Sequence, residues 1–201
     1  IRILKQQKQQ LMIKNMLENI ADKFQGELNP GERLVWTGQP QQGFVLRSSD
    51  ALMIPFSLLW GGFTIGWEAM AIRESGFFFM AVWGIPFVLV GLYMIFGRFF
   101  VDWLLRRKTF YALTNERAII ISGLFNQDIK SLDLTKLSEI NLNIRNNGRG
   151  TITFGTSYSM AWMYAGTGFP NRGRYLAPSF DIIDDARTVY QHIKRLQQEG
   201  S

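Results

Sequence analysis

The chain has 201 residues, of which 47% are hydrophobic, and it carries a formal net charge of +6 at pH 7. It contains no cysteine, which excludes disulfide bonds, thiolate catalysis and zinc sites built on cysteine. No nucleic-acid-binding motif accompanies the positive charge, and the basic residues cluster beside apolar stretches, so the charge favours membrane topology and anionic lipid over nucleic acid.

Residues 1–25 are predicted to form an amphipathic helix. Apolar side chains recur on one of its faces: Ile13, Met16, Leu17, Ile20, Ala21 and Phe24. This face requires a partner, which is the soluble part of the chain, a second copy, or a membrane surface; the mixed charge of the other face argues mildly against the membrane. Residues 26–50, which open with Gly26 and contain Asn29-Pro30-Gly31, are predicted as a linker.

The most apolar parts of the sequence are residues 51–67 and 77–97, and they predict a transmembrane helical hairpin within residues 51–107. The second stretch holds about 21 residues without a charge, or roughly 31 Å as a helix, which matches the hydrocarbon thickness of a bilayer. The first has about 17 uncharged residues, the lower limit for a span, and Glu68 follows at its end. A buried helical hairpin of a soluble core would be shorter and would carry a polar face, which residues 77–97 lack.

Basic residues predict the orientation of this hairpin, because Lys and Arg near membrane helices are retained on the cytoplasmic side. They flank the outer ends of the two stretches: Arg47, Arg98, Arg106, Arg107 and Lys108. The link between the stretches offers only Arg73, which Glu74 offsets. Both termini are therefore expected in the cytoplasm, in a multi-pass protein of the bacterial cytoplasmic membrane. Arg106, Arg107 and Lys108 are also candidates for contact with anionic headgroups, each contributing about 1 kcal/mol.

Four glycines are candidates for close helix packing. Gly62 and Gly66 lie one helical turn apart in the first stretch, and Gly84 and Gly91 lie about two turns apart in the second. Small residues allow two helix backbones to approach closely, so these positions predict packing either within the hairpin or between protomers. Because glycine is common in membrane helices, the alternative without an interface role stays open.

After residue 107 the pattern changes to short alternating apolar runs, which are typical of a partly exposed antiparallel sheet. The predicted strands cover residues 110–113, 118–121, 129–134, 140–145 and 151–154. Asn146, Asn147 and Gly148 predict the turn of a hairpin between the last two strands, because Asn-Gly supplies the positive backbone dihedrals that such turns require. Residues 156–178 have no clear period and are predicted as a long excursion with room for one short strand.

An amphipathic helix is predicted near the C-terminus. Its apolar residues recur at helical spacing: Phe180, Ile183, Ala186, Val189, Tyr190 and Ile193. Asp181 and Asp184 lie near the predicted start, where carboxylates complement the helix dipole. Composition and spacing therefore predict an α+β membrane protein whose hairpin is followed by a small antiparallel sheet and a closing helix.

Several short segments resemble the bacterial pleckstrin-homology (PH) domain family. They are YALTNER at 111–117, the runs 119–123 and 132–140, and GTITFG at 150–155. Upstream, GERLVWTG at 31–38 is similar to the segment before the membrane hairpin in membrane-bound members of that family. The resemblance covers most of the chain after Asn29. It implies a PH-like fold over residues 108–201, an antiparallel β-sandwich or barrel of two packed sheets with a C-terminal capping helix.

The resemblance also implies a class of activity. PH-like domains bind lipid headgroups, peptides or other proteins, and the bacterial members resemble non-catalytic modules that often assemble as oligomers. The predicted function is therefore a membrane-anchored scaffold or accessory subunit that binds proteins at the cytoplasmic face, with membrane lipids, other membrane proteins or a second copy as partners. A lipid-headgroup-binding module and an oligomeric pore or transporter component are the alternatives.

No pattern in the sequence predicts an enzyme, a cofactor or a metal site. His192 is the only histidine and lies within the predicted final helix, so the chain offers too few partner residues for a metal site or a histidine-based triad. Asp181, Asp184 and Asp185 are better explained by helix capping than by a cation site. Glu68 and Asp102 are interpreted as carboxylates at the two membrane interfaces, with an intramembrane proton-handling role as the alternative.

Overall fold

The structure is a computed structural model that describes residues 2–47, 49–73, 78–156 and 177–199. The described residues divide into two compact units. The first, named here the sheet unit, consists of residues 2–42, 105–156 and 177–199. The second, named the hairpin unit, lies within residues 43–104.

The residues that the structure describes form five α-helices and seven β-strands. The helices are α1 (Arg2–Gln25), α2 (Asp50–Arg73), α3 (Phe78–Leu92), α4 (Arg98–Arg107) and α5 (Ala186–Glu199). The strands are β1 (Leu34–Gly38), β2 (Phe110–Thr114), β3 (Arg117–Ser122), β4 (Asp128–Asp133), β5 (Ile140–Ile144), β6 (Gly150–Phe154) and β7 (Ser179–Ile183). A π-helical turn at Tyr93–Gly97 joins α3 to α4, and a 3-10 turn covers Leu134–Lys136.

Among the described residues, one helix is long and apolar enough to cross a membrane, judged by length and composition: Val82–Arg107, with 26 residues. Helix α2 has 24 residues but does not meet the same criterion. Glu68, Ser57 and Thr64, together with its glycines, lower its mean hydropathy. Length and composition thus support one of the two predicted spans, and they do not support a multi-pass protein.

In the sheet unit the described strands form two antiparallel sheets, in the orders β1-β2-β3-β4 and β5-β6-β7. Ala112 opposes Ile119 between β2 and β3, and Leu142 opposes Ile152 between β5 and β6. Strands that follow each other in the chain are therefore neighbours in each sheet. The predicted α+β architecture with antiparallel sheets and a C-terminal helix is confirmed.

The segment predicted as a linker contains a strand. In β1, Leu34 opposes Thr114 and Gly38 opposes Tyr111 of β2, so residues 34–38 belong to the first sheet. A strand of five residues between glycines offers too short an alternating run to be recognised from the sequence. The predicted domain boundary at residue 108 consequently leaves out an edge strand of the sheet unit.

The first sheet is covered on both faces. One set of alternate side chains enters a core shared with the second sheet and α5: Tyr111, Leu113, Ala118 and Ile120. The other set packs against Ile20 and Phe24 of α1: Ala112, Ile119 and Ile121. A strand buried on both faces requires a continuous apolar run, which explains residues 118–121.

The contact with the sheet identifies a partner for the predicted N-terminal amphipathic helix. Ile20 and Phe24 are 3% and 0% exposed, so the first sheet covers the last turns of α1. Large apolar side chains nearer the N-terminus are exposed: Leu4, Leu11 and Leu17. The side chains of Ile13 and Met16, which the prediction placed on the same face, lie outside the described ones.

The predicted hairpin between β5 and β6 is confirmed, with a different turn. The amide of Arg145 donates to the carbonyl of Arg149 at 2.7 Å, and the amide of Gly148 donates to the carbonyl of Arg145 at 3.0 Å. Gly148 has a positive φ of +80°, whereas Asn147 does not. The loop is therefore a turn that ends in a left-handed glycine rather than a two-residue turn with two positive dihedrals.

The C-terminal helix begins later than predicted. Residues 179–183 form β7, and α5 begins only at Ala186. Phe180 and Ile183, three residues apart, suit both one face of a helix and a buried strand, and pairing with β6 selects the strand. The predicted excursion falls largely on residues 157–176, which lie outside the described residues.

Candidate functional site

Large apolar side chains dominate the surface of the hairpin unit. Several of those on its helices are at least 66% exposed: Leu59, Phe63, Met70, Ile72, Phe79, Trp83 and Phe96. The buried residues of α2 are instead small or polar: Asp50, Ser57, Gly61 and Thr64. The hydroxyls of Ser57 and Thr64 donate to the carbonyls of Ile54 and Gly61 at 2.9 and 3.1 Å. This distribution is the inverse of that in a water-soluble helix pair.

Helices α2 and α3 approach each other closely at small residues. A Cβ atom on Gly91 would lie 3.2 Å from the Cα of Gly61 and 3.3 Å from Thr64 Oγ1. A Cβ atom on Gly84 would collide with the carboxylate of Glu68. Gly84 and Gly91 therefore lie at the contact within the hairpin, which is one of the two predicted alternatives.

The other two predicted packing glycines are placed differently. A Cβ atom on Gly62 or Gly66 would meet no described atom within 4 Å, so both lie on the outer surface, where a contact between protomers stays a prediction. Sequence reasoning missed Gly61, where an added Cβ would lie 2.6 Å from the Cδ1 of Ile95. Because Gly61 and Gly62 are adjacent, spacing alone gives no way to decide which one faces the partner helix.

Glu68 is the acidic residue of the contact between α2 and α3. Its Oε2 is buried and has no hydrogen-bond partner within the part of the chain that the structure describes. The absence of a side chain at Gly84 leaves room for this carboxylate. The predicted position of Glu68 at a membrane interface stays a prediction.

Two ion pairs, named here the charged cluster, join the beginning of α2 to α4. Arg98 Nη1 lies 2.9 Å from Asp50 Oδ1, and these side chains are 5% and 6% exposed. Arg47 Nη2 lies 3.4 Å from Asp102 Oδ1. The Arg98 guanidinium also lies 4.4 Å from the ring centroid of Phe99. The cluster thus holds the two ends of the hairpin together.

The charged cluster changes the interpretation of two basic residues. The sequence assigned Arg47 and Arg98 to membrane topology alone, whereas each is paired with an acid in the structure. Since two cations meet two anions, the cluster adds no net charge at the ends of the hairpin. The sequence places Asp50 three residues from Arg47 and Asp102 four residues from Arg98, which suggests local pairs, and it gives no signal for the observed pairs between the beginning of α2 and α4.

Arg106, one of the three basic residues predicted to contact anionic headgroups, is buried. It is 5% exposed, and its Nη1 donates to the carbonyl oxygen of Gln41 at 2.6 Å. Arg107 and Lys108 are exposed, and Lys108 Nζ donates to the carbonyl oxygen of Leu124 at 2.7 Å. Arg106 therefore stabilises the sheet unit from within, and Arg107 and Lys108 are the members of the set that face solvent.

A partly buried ion pair in the sheet unit joins the GER and TNER segments of the family resemblance. Arg117 Nε and Nη2 each donate to a carboxylate oxygen of Glu32 at 2.9 Å, and the Thr114 hydroxyl donates to Glu32 Oε1 at 2.6 Å. The hydrogen bond from Arg117 lowers the pKa of Glu32 from 4.5 to about 2, although burial opposes the shift. The two residues are separated by 85 positions, so no local pattern indicated the pair.

The acids predicted to cap the C-terminal helix make other contacts. Asp184 Oδ1 lies 2.6 Å from Arg149 Nε, and Asp181 Oδ1 accepts a hydrogen bond from the Thr151 hydroxyl at 3.1 Å. The first contact joins the loop before β6 to the turn after β7, and the second joins β6 to β7. His192 is half-buried on α5. Among the residues that the structure describes, no group of three or more histidines and acids gathers at a metal-binding distance.

Comparisons of the chain with protein-family models, with curated proteins and with solved structures gave no match. The resemblance to bacterial PH domains therefore stays a prediction. The case for a function rests on the hairpin unit, its charged cluster and the two sheets.

Proposed function

We propose that the chain is a membrane-anchored, non-catalytic module of PH-like fold. The hairpin unit lies in the bacterial cytoplasmic membrane, and the sheet unit acts in the cytoplasm as a scaffold or accessory subunit. The observation that carries this proposal is the inverted hairpin, whose large apolar side chains face outward. Fully burying one such side chain is worth about 1.5–3 kcal/mol, so a surface made of many of them requires an apolar surrounding.

The placement of α2 inside the bilayer is supported by its side chains, although its composition falls short of a span. An interfacial helix needs a polar face, whereas exposed apolar side chains cover the surface of α2 that does not face α3. Its hydroxyl residues, Ser57 and Thr64, donate to carbonyls of their own helix, which reduces the cost of placing them in lipid. Two antiparallel spans place both termini on one side, and the flanking basic residues favour the cytoplasm.

The PH-like part of the proposal is supported by topology. The resemblance implies two packed antiparallel sheets closed by a C-terminal helix, and the sheet unit has four and three described strands followed by α5. The segments at 31–38 and 111–117, which carry the resemblance, meet at the pair of Glu32 and Arg117. A compact sheet unit joined in one chain to a membrane anchor suits a protein whose role is to hold partners at the membrane, because tethering raises their effective concentration.

Alkaline extraction of membranes tests the anchor. The wild-type chain is expected to stay in the membrane pellet at high pH, as an integral protein does. The double variant Leu59→Asp and Phe63→Asp should move to the supernatant, since a charge near the bilayer centre costs about 2.5–3.5 kcal/mol. Val35→Asp, at an exposed apolar position of the sheet unit, is the matched control and should stay in the pellet. Release of the wild-type chain by this treatment would contradict the proposal.

Cysteine labelling tests the orientation, because the natural chain has no cysteine. Asn147→Cys, on the exposed turn between β5 and β6, should react with a membrane-impermeant maleimide only after the cytoplasmic membrane is opened. Ser75→Cys, in the link between the two apolar stretches, should react in intact spheroplasts. Labelling of Asn147→Cys in intact spheroplasts would place the sheet unit outside the cytoplasm and contradict the proposal.

A further inference from the structure

A groove of about 280 Å³ lies on the hairpin unit, between α2 and α3. Its walls are mainly aromatic, with three side chains from α2 and two from α3: Trp60, Phe63, Trp67, Trp83 and Phe87. The ring centroids of Phe63 and Trp67 lie 6.4 Å apart. The volume is near the lower end of the range for ligand pockets, roughly 300–1,000 Å³, so the groove suits one small molecule.

Glu68 places a carboxylate at the wall of this groove. Gly84 belongs to the lining, and the carboxylate of Glu68 occupies the space that a side chain at Gly84 would fill. Glu68 Oε2 is buried and has no hydrogen-bond partner among the residues that the structure describes. An isolated ionised carboxylate in an apolar environment is strongly unfavourable, so this group requires a cation or a hydrogen-bond donor.

The described part of the hairpin unit supplies no cation for Glu68. The two arginines of the charged cluster are paired with the two acids of that cluster. Arg73, the remaining basic residue, is exposed at the end of α2. It lies five positions after Glu68, which corresponds to a rotation of about 140° around the helix. The counter-ion of Glu68 must therefore come from outside the described residues.

Aromatic walls beside a carboxylate are suited to one class of ligand. The face of an aromatic ring attracts a cation, most strongly at Trp, and three Trp side chains line the groove. Both this attraction and that of the carboxylate increase in an apolar surrounding, because water does not screen them there. A neutral apolar molecule would leave the carboxylate unpaired, and an anion would be repelled by it.

We propose that the groove binds an apolar organic cation, such as a tertiary or quaternary ammonium compound with aryl or alkyl substituents. The cationic centre lies among the Trp rings beside Gly84, next to the carboxylate of Glu68, and the substituents pack against Phe63 and Phe87. The inference rests on the proposed insertion of the hairpin, because lipid keeps water away from the groove. It adds a ligand-binding role to the anchor.

Equilibrium dialysis of the full chain in phosphatidylcholine nanodiscs tests the site, with tetraphenylphosphonium as the probe. Empty nanodiscs give the background that is due to partition into lipid. Saturable binding of the cation to the chain is expected. Tetraphenylborate, an anion of the same shape, should show no saturable binding in a separate dialysis. The proposal is wrong if the cation does not saturate, or if the anion binds equally well.

Variants separate the charge from the aromatic wall. Glu68→Gln keeps the shape of the side chain and should weaken binding of the cation by about tenfold, because it removes a charge that water does not screen. Trp67→Leu should weaken binding by about fivefold, the contribution of one cation–π contact. Phe96→Leu, at an exposed aromatic position outside the lining, is the matched control and should bind as the wild type does.

Circular dichroism checks that each variant keeps its helices, and the comparison of the two ions needs no variant. Unchanged binding of the cation by folded Glu68→Gln would overturn the role of the carboxylate and with it the proposal.

Alkaline extraction separates the failure of this inference from the failure of the anchor. If the chain stays in the membrane pellet and shows no saturable binding of the cation, the ligand site is wrong and the anchor stands. Release of the chain from the membrane would overturn both.

A benzophenone probe on Phe63→Cys tests whether a partner helix covers the groove. Tetraphenylphosphonium should compete with any cross-link that forms from this position in cell membranes. Cross-linking to a protein that the cation does not reduce would assign the groove to a protein partner and contradict the proposal.

Discussion

In the sheet unit the fully buried side chains include Phe24, Phe154 and Phe180, whereas the buried residues of α2 in the hairpin unit are small or polar. Both patterns follow from one rule if lipid surrounds the hairpin, because apolar side chains then avoid water in both units. The forces that hold each unit together differ accordingly. Burial of apolar surface stabilises the sheet unit, while close backbone packing and ion pairs must stabilise helices whose surroundings are already apolar.

The charged cluster offers the strongest test of this contrast. Asp50→Ala leaves Arg98 buried without its acid and should lower the free energy of unfolding of the hairpin by about 4 kcal/mol. Titration with sodium dodecyl sulfate from mild detergent micelles measures this loss. Adding Arg98→Met removes the uncompensated charge and should recover much of it. A single variant as stable as the wild type would show that the pair does not hold the hairpin ends together.

The ion pair between Glu32 and Arg117 in the sheet unit gives the second-largest expected effect. Glu32→Gln removes the partner of Arg117 and should destabilise the sheet unit by about 3 kcal/mol, the lower end of the range for breaking a buried pair. Amide hydrogen exchange in β2 and β3 should accelerate, while exchange in α2 should not change. Glu116→Gln, at an exposed neighbouring position, is the control. Acceleration in both units alike would mean that they do not unfold separately.

Acid should act on the sheet unit through the same carboxylate. The pKa of Glu32 is lowered from 4.5 to about 2 by its hydrogen bond with Arg117, so the unfolded chain binds the proton more readily. The stabilisation, up to about 3 kcal/mol, is present above pH 4.5 and is lost as the pH falls towards 2. Thermal unfolding measured over this range should show the loss in the wild type and much less of it in Glu32→Gln.

Helix packing gives the smallest expected effect. Gly91→Leu would force a side chain against the backbone of Gly61 and should destabilise the hairpin by about 2 kcal/mol. Gly62→Leu, where a Cβ meets open space, should leave the stability in detergent nearly unchanged. The same dodecyl sulfate titration compares the two. If Gly62→Leu lowers the stability more than Gly91→Leu does, α3 packs against the face of α2 that carries Gly62 and not against the face that carries Gly61.

Local patterns in the sequence predicted most of the elements, because periodicity and turn chemistry act over a few residues. The hairpin around Gly148 and the buried run at 118–121 followed from such patterns. The prediction was wrong at residues 180–183, where an apolar spacing of three fits two structures and pairing with β6 decides between them.

The contacts that hold the candidate sites together were less accessible to sequence reasoning. Glu32 meets Arg117 across 85 positions, and only the folded sheet brings them together. The choice of Gly61 over Gly62 as the residue that faces α3 depends on a helix rotation that composition does not determine.

The uneven coverage of α1 has a consequence for its stability. This helix is about 36 Å long, yet Ile20 and Phe24 are the fully buried side chains among those described on it. An isolated helix of this kind is marginal in water, so the order of its first turns depends on the two residues anchored at its far end. Amide protons should therefore exchange fastest near Arg2 and progressively more slowly towards Gln25, because only the C-terminal end of the helix is packed against the sheet.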